Sequence, residues 1–230
     1  MQGQIKHESG KIREYLYTYR HGFIMIGYMF IYMIWFGFIN SHKPGSYRMI
    51  RVDFDAKIPF CEYFVIPYYL WFIYVATVIL IAIFKNKEEY YKGSLFFMVG
   101  MTIFLVVSTL WPNGQTLRPG IMAHDNLFTD LVWAIYTTDA PRNLWPSIHV
   151  YNSIGAYLLL KHIYPEKKFL NICSLLLCIS IILSTVFIKQ HSVFDVATAL
   201  FLALLMYVIV YHTNAVNSIR NHFHNSEILR

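Results

Sequence analysis

Residues 169–211 read FLNICSLLLCISIILSTVFIKQHSVFDVATALFLALLMYVIVY. Two apolar stretches, Phe169–Ile188 and Ser192–Tyr211, flank the tripeptide Lys189-Gln190-His191. The first stretch carries no charged residue and the second carries only Asp195. An α-helix rises about 1.5 Å per residue, and about 20 residues cross a hydrocarbon core roughly 30 Å thick. Each stretch is that long, so the segment predicts two membrane spans joined by a short polar turn at one face of the bilayer.

The same pattern recurs upstream. His21–Asn40, Tyr63–Phe84 and Gly93–Trp111 are apolar runs of spanning length, and a shorter run covers about Trp145–Leu160. A short span suits a helix whose end lines a polar cavity. The predicted fold is therefore all-α: a polytopic membrane protein with a bundle of six transmembrane helices, forming one domain over residues 1–230. Composition agrees. Hydrophobic residues make up 57% of the chain and charged residues 14%, where soluble domains carry about half and about a quarter. Met1–Arg20 is polar, and the apolar run after it is too long for a cleavable signal. Cys61, Cys173 and Cys178 have no spacing that indicates a disulfide framework or a zinc site.

The net charge of +6 reads as topology. No basic patch lies on a soluble domain, which argues against nucleic acid as a partner. With residues 1–20 as a cytoplasmic N-terminal segment and 212–230 as a cytoplasmic tail, twelve of the 19 lysines and arginines fall in inside segments and seven outside. Positive charge accumulates on the cytoplasmic side, so both termini are expected inside. The small size and short loops favour a bacterial inner membrane. Two outer loops are long, Ser41–Glu62 and Pro112–Leu144, and Asn126–Thr138 within the second has the apolar face of an interfacial helix.

Polar groups at the ends of spans carry the chemistry. Arg118-Pro119 follows span three; a guanidinium fork matches phosphate oxygens, and the proline restrains the residue before it. Pro146-Ser147-Ile148-His149 opens span four. Proline suits the first turn of a helix, and the free N–H groups there make an anion site. Ser147 adds a hydroxyl donor, and His149 lies within proton-transfer reach of an ester bound there. His191 and Asp195 are four apart and share a helix face. A carboxylate on one ring nitrogen fixes the tautomer and leaves the other nitrogen free to attack. Taken singly, each cluster also reads as an ordinary helix end. Taken together, the charge-derived topology puts all three at one depth on one side.

These motifs resemble the type 2 phosphatidic acid phosphatase superfamily of membrane lipid phosphatases and phosphotransferases. Arg118-Pro119 is similar to the end of that family's first motif. Pro146-Ser147-Ile148-His149 is similar to the second, and Ser184 with His191 and Asp195 to the third. Trp111 and Thr185 stand where the family pattern has a lysine and an arginine, with Lys189 and Arg142 as nearby substitute cations. A similar loss, with the two histidines and the aspartate kept, is seen in branches resembling sphingomyelin and inositol phosphorylceramide synthases.

The resemblance implies a metal-independent reaction at the extracytoplasmic rim, with no cofactor. His191 attacks phosphorus, Asp195 orients it, and His149 protonates the leaving group. Arg118, Ser147, Lys189 and Arg142 are the expected phosphate-binding residues. The implied substrate is a lipid phosphate: a phosphatidic acid-like ester, phosphatidylglycerol phosphate or a polyprenyl pyrophosphate. Water as acceptor makes the enzyme a phosphatase, and a lipid or sugar hydroxyl makes it a transferase.

Two other classes stay open. In a metal hydrolase, His191 and Asp195 ligate zinc with His149 or His124, although Arg118 beside them opposes a dication. A transporter or channel lines its path with charge near the midplane, whereas spans one, two, three and five carry none.

Overall fold

The structure is a computed structural model and describes residues 13–42, 45–122 and 124–213. Most of the predicted N-terminal segment, nearly all of the predicted tail and Lys43 lie outside the described residues. The helices are α1 (Phe23–Ser41), α2 (Val65–Lys85), α3 (Lys87–Leu110), α4 (Leu127–Thr138), α5 (Ile148–Ile163), α6 (Lys168–Phe187) and α7 (Val193–His212). Two short strands, β1 (Arg48–Met49) and β2 (Asn113–Gly114), pair in parallel.

Among the described residues, five helices are long and apolar enough to cross a membrane: Arg20–Ser41, Glu62–Lys85, Lys87–Leu110, Lys168–Phe187 and Val193–His212. Their outer faces carry large exposed apolar side chains such as Phe30, Ile34, Ile73, Phe201 and Leu204. Water does not support so much exposed apolar surface, and a bilayer does.

The expected fourth span is the sixteen-residue helix α5, about 24 Å long at 1.5 Å per residue. It is the bundle's inner helix, packed on α2, α3, α6 and α7, and no residue from Ile148 to Leu160 is exposed. Small residues permit that depth. A Cβ on Gly100 of α3 would sit 2.0 Å from the Tyr151 ring, and one on Gly93 would sit 2.6 Å from Leu159. Gly155 of α5 meets Phe96 in the same way at 2.8 Å. Close backbone approach at small residues is how helices associate in a bilayer, where apolar burial supplies no driving force.

Helix α3 begins at Lys87, six residues before the apolar run at Gly93. Asn86 caps it by accepting from the Glu88 and Glu89 N–H groups, both at 3.1 Å. Lys92 pairs with Glu88 and Glu89 at 3.1 and 2.8 Å. A capped, charge-paired first turn extends the helix beyond its apolar part. Helix α4 has the predicted bounds, with Asn126 as its N-cap.

The loops before α2, α4 and α5 meet over one end of the bundle. Pairing of β1 with β2 sets Arg48 opposite Asn113 and Met49 opposite Gly114. Asn113 then organises the approach to α5: its Oδ1 accepts from the Leu144 and Trp145 N–H groups at 2.8 and 3.1 Å. The Trp145–Pro146 peptide is cis.

Candidate active site

The α6–α7 turn lies under this cap. His191 donates from Nδ1 to Asp195 Oδ2 at 3.2 Å, and Ser192 N–H donates to the same oxygen at 3.0 Å. Asp195 sits three residues past the Ser192 cap of α7 and closes a capping box with it. One carboxylate thus fixes both the helix start and the imidazole orientation. Its other oxygen, Oδ1, is buried with no hydrogen-bond partner among the described residues.

His149 lies in the first turn of α5, and its ring centroid is 5.6 Å from that of His191. Both are nearly buried, at 8% and 5% exposure. Tyr68 stacks on His149 at 4.6 Å, and Trp71 packs against it at 4.3 Å. His149 Nδ1 has no partner among the described residues, so the ring is held by aromatic packing. Ser147 is the N-cap of α5, and its Oγ accepts from Val150 N–H at 3.3 Å.

Arg118 reaches the same turn. Its Nη2 donates to Gln190 Oε1 at 2.5 Å and to Asp139 O at 2.7 Å, and its Nη1 donates to Tyr136 O at 3.1 Å. The guanidinium lies 4.4 Å over the Tyr136 ring, while Nε is buried and unpartnered among the described residues. Burial draws its pKa below the ordinary arginine value, with Asp139 opposing. Asp139 ends α4 and is half-buried. Burial raises its carboxyl above the ordinary aspartate value, with the charges of His191 and Arg118 pulling back.

The two expected substitute cations have other partners. Lys189 Nζ donates to the Asp55 and Ile58 carbonyls at 2.9 and 2.5 Å, and its backbone is left-handed at φ 54°. Burial lowers its pKa, with Asp55 opposing. Arg142 donates to Asn40 O at 2.8 Å and Tyr47 OH at 3.4 Å, so its hydrogen bonds tie α1 to the cap. Of the two motif departures, Trp111 is exposed, and Thr185 is fully buried with its hydroxyl on Ile182 O at 2.8 Å.

Sequence reading passed over the groups that hold the turn. The Asp55 carboxylate accepts from Ser192 Oγ at 2.7 Å, Val193 N–H at 2.8 Å and Val52 N–H at 2.8 Å. Tyr136 OH donates to Ile188 O, and Gln115 Nε2 to Lys189 O, both at 2.7 Å. A left-handed non-glycine residue persists only where its surroundings over-determine it, and these contacts do so. The signal for Asp55 was weak: two acids, Asp53 and Asp55, in a loop otherwise marked by Arg48, Arg51 and Lys57.

No protein-family model, curated protein or solved structure matches this chain.

Proposed function

We propose that this chain is an integral membrane lipid phosphatase that cleaves a phosphate ester or pyrophosphate through a phosphohistidine. The observation that carries the reading is the meeting of His149, His191, Asp195 and Arg118, drawn from three separate segments, at one end of a bundle with an apolar exterior. Its six-span count takes α5 as the short fourth span, and its site faces away from the cytoplasm, with both termini inside, most simply in a bacterial inner membrane.

In this reading, His191 attacks phosphorus through Nε2 while Asp195 on Nδ1 stabilises the imidazolium that forms. His149 gives a proton to the departing oxygen and then takes one from the incoming acceptor. Such acid–base assistance contributes about 10² to 10⁴ in rate. A phosphate anion beside His149 favours its protonated ring, the form that gives the proton. Arg118 supplies positive field at the phosphoryl oxygens through its free Nε–H, and Ser147 contributes its hydroxyl proton.

A second reading, transfer of a phospho-headgroup to a lipid or sugar hydroxyl, has one observation in its favour. Thr185, buried, and Trp111, exposed, stand where the resembled family pattern has two cations, and fewer charges suit a singly charged diester better than a phosphate monoester dianion. The test is purified enzyme with a panel of lipid phosphates, with and without a hydroxyl acceptor. Free phosphate supports hydrolysis, a new phosphodiester supports transfer, and neither product from any lipid rejects both.

A further inference from the structure

A groove of about 610 Å³ runs between α1 and α2, floored by α3 and α5. Its volume falls within the ~300–1,000 Å³ range of small-molecule sites. Its walls are apolar, from Met25, Met29 and Met33 on α1 to Val75 and Ile79 on α2. Along α2 it extends from Trp71 to Ile83, about 18 Å at 1.5 Å per residue, which is slightly more than the depth of one leaflet.

Two features tie this groove to the histidine pair. Trp71 and Phe72 line its head, and both rings also pack on His149, at 4.3 and 6.4 Å. Asn152 is the groove's polar residue, one turn past His149 on the same face of α5. It is 3% exposed, and its Oδ1 has no hydrogen-bond partner among the described residues. An unpaired amide in a hydrocarbon setting is costly. A ligand N–H or O–H satisfies that oxygen directly, and a ligand ester carbonyl accepts from the Nδ2–H donors once the amide turns over.

We infer that the groove seats one hydrocarbon chain of the lipid substrate, and that Asn152 reads the ester, amide or hydroxyl linking this chain to the lipid backbone. The inference rests on the proposed phosphoryl chemistry of the histidine pair. It selects a class: acyl-type phospholipids, whose polar linkage lies a few bonds from phosphorus, over polyisoprenyl phosphates, which have no such group. The spacing agrees, since His149 and Asn152 are separated by about 4.5 Å along the helix axis.

The experiment uses the full chain in detergent micelles with three probes: long-chain diacylglycerol phosphate, polyisoprenyl phosphate and phenyl phosphate. Met29→Trp, which fills the groove, lowers kcat/KM for diacylglycerol phosphate roughly tenfold and leaves phenyl phosphate unchanged. Asn152→Leu lowers the preference for diacylglycerol phosphate over polyisoprenyl phosphate by about three- to twentyfold, the range of one hydrogen bond in a membrane. Unchanged long-chain turnover in Met29→Trp overturns the inference, as does a wild-type preference for the isoprenoid. So does a shift from dimer to monomer in Met29→Trp, because the groove is then a self-association face. A parallel arm measures quenching of Trp71 fluorescence by brominated-chain diacylglycerol phosphate, read against Trp71→Phe. Quenching without turnover of any probe rejects the catalytic reading and keeps the groove. Absence of quenching rejects the groove even where phenyl phosphate is hydrolysed.

Discussion

Replacing Asp55 by alanine tests how the candidate site is built. The Asp55 carboxylate is 2% exposed and accepts three hydrogen bonds, from Ser192 Oγ, Val193 N–H and Val52 N–H. Alanine leaves three donors without their acceptor, two of them at the start of α7 beside His191. Each buried unsatisfied group costs about 1–3 kcal/mol, so the lower bound is about 3 kcal/mol. The carboxylate also lies at a helix N-terminus, where negative charge is favourable by about 0.3–1 kcal/mol. For a chain of this size 1 kcal/mol moves Tm by about 2–4 °C, giving an expected fall of about 6–12 °C in detergent. Thermal unfolding followed by tryptophan fluorescence reads the shift. Asp55→Asn, which keeps one acceptor, falls between alanine and wild type. A Tm for Asp55→Ala within 2 °C of wild type, on an estimated scale of about 2–4 °C per kcal/mol, refutes the idea that the loop before α2 pins the α6–α7 turn.

Gly100→Ala places a methyl group 2.0 Å from the Tyr151 ring, whose hydroxyl donates to Phe96 O; the expected cost is about 1–3 kcal/mol, read as a lower Tm. Asp139 has a native pKa raised by burial, so its contribution to stability is complete below the ordinary aspartate pKa and is lost as pH rises through the native value. Asp139→Asn is therefore more stable than wild type at neutral pH, and paired Tm measurements down the pH scale should show the gap closing in acid. Asp195→Asn keeps the shape of the side chain but lets the amide face His191 with a donor, which reverses the tautomer. By analogy with other His–Asp pairs, kcat falls by about 10²–10⁴, and Tm also falls because Ser192 N–H loses the oxygen it shared with His191.

The helices were legible because the signal for each is local. Apolar runs between charged or glycine-bearing segments marked α1, α2, α6 and α7 to within about two residues, and the apolar face of residues 126–138 marked α4. The start of α3 was missed because its first turn is polar and held by Asn86 and Lys92, an arrangement that hydropathy does not register. The spacing of four between His191 and Asp195 encodes their contact, since neighbours on a helix face are fixed by the helix itself. The partners of Lys189 and Arg142 were not legible, because each binds carbonyls more than a hundred residues away in sequence. Side chain type alone does not say which backbone oxygens will be near. Asp55 and Asp139 were passed over for the same reason, since their importance lies in which distant turn they face.

The account stands most directly on where the phosphoryl group goes. Purified enzyme is mixed with ³²P-labelled diacylglycerol phosphate and quenched in alkali, which preserves phosphohistidine, and the label is mapped by peptide mass spectrometry. The account predicts label on His191, absent in His191→Ala and longer-lived in His149→Ala. Label on any other residue, or undiminished turnover in a folded His191→Ala protein, contradicts it.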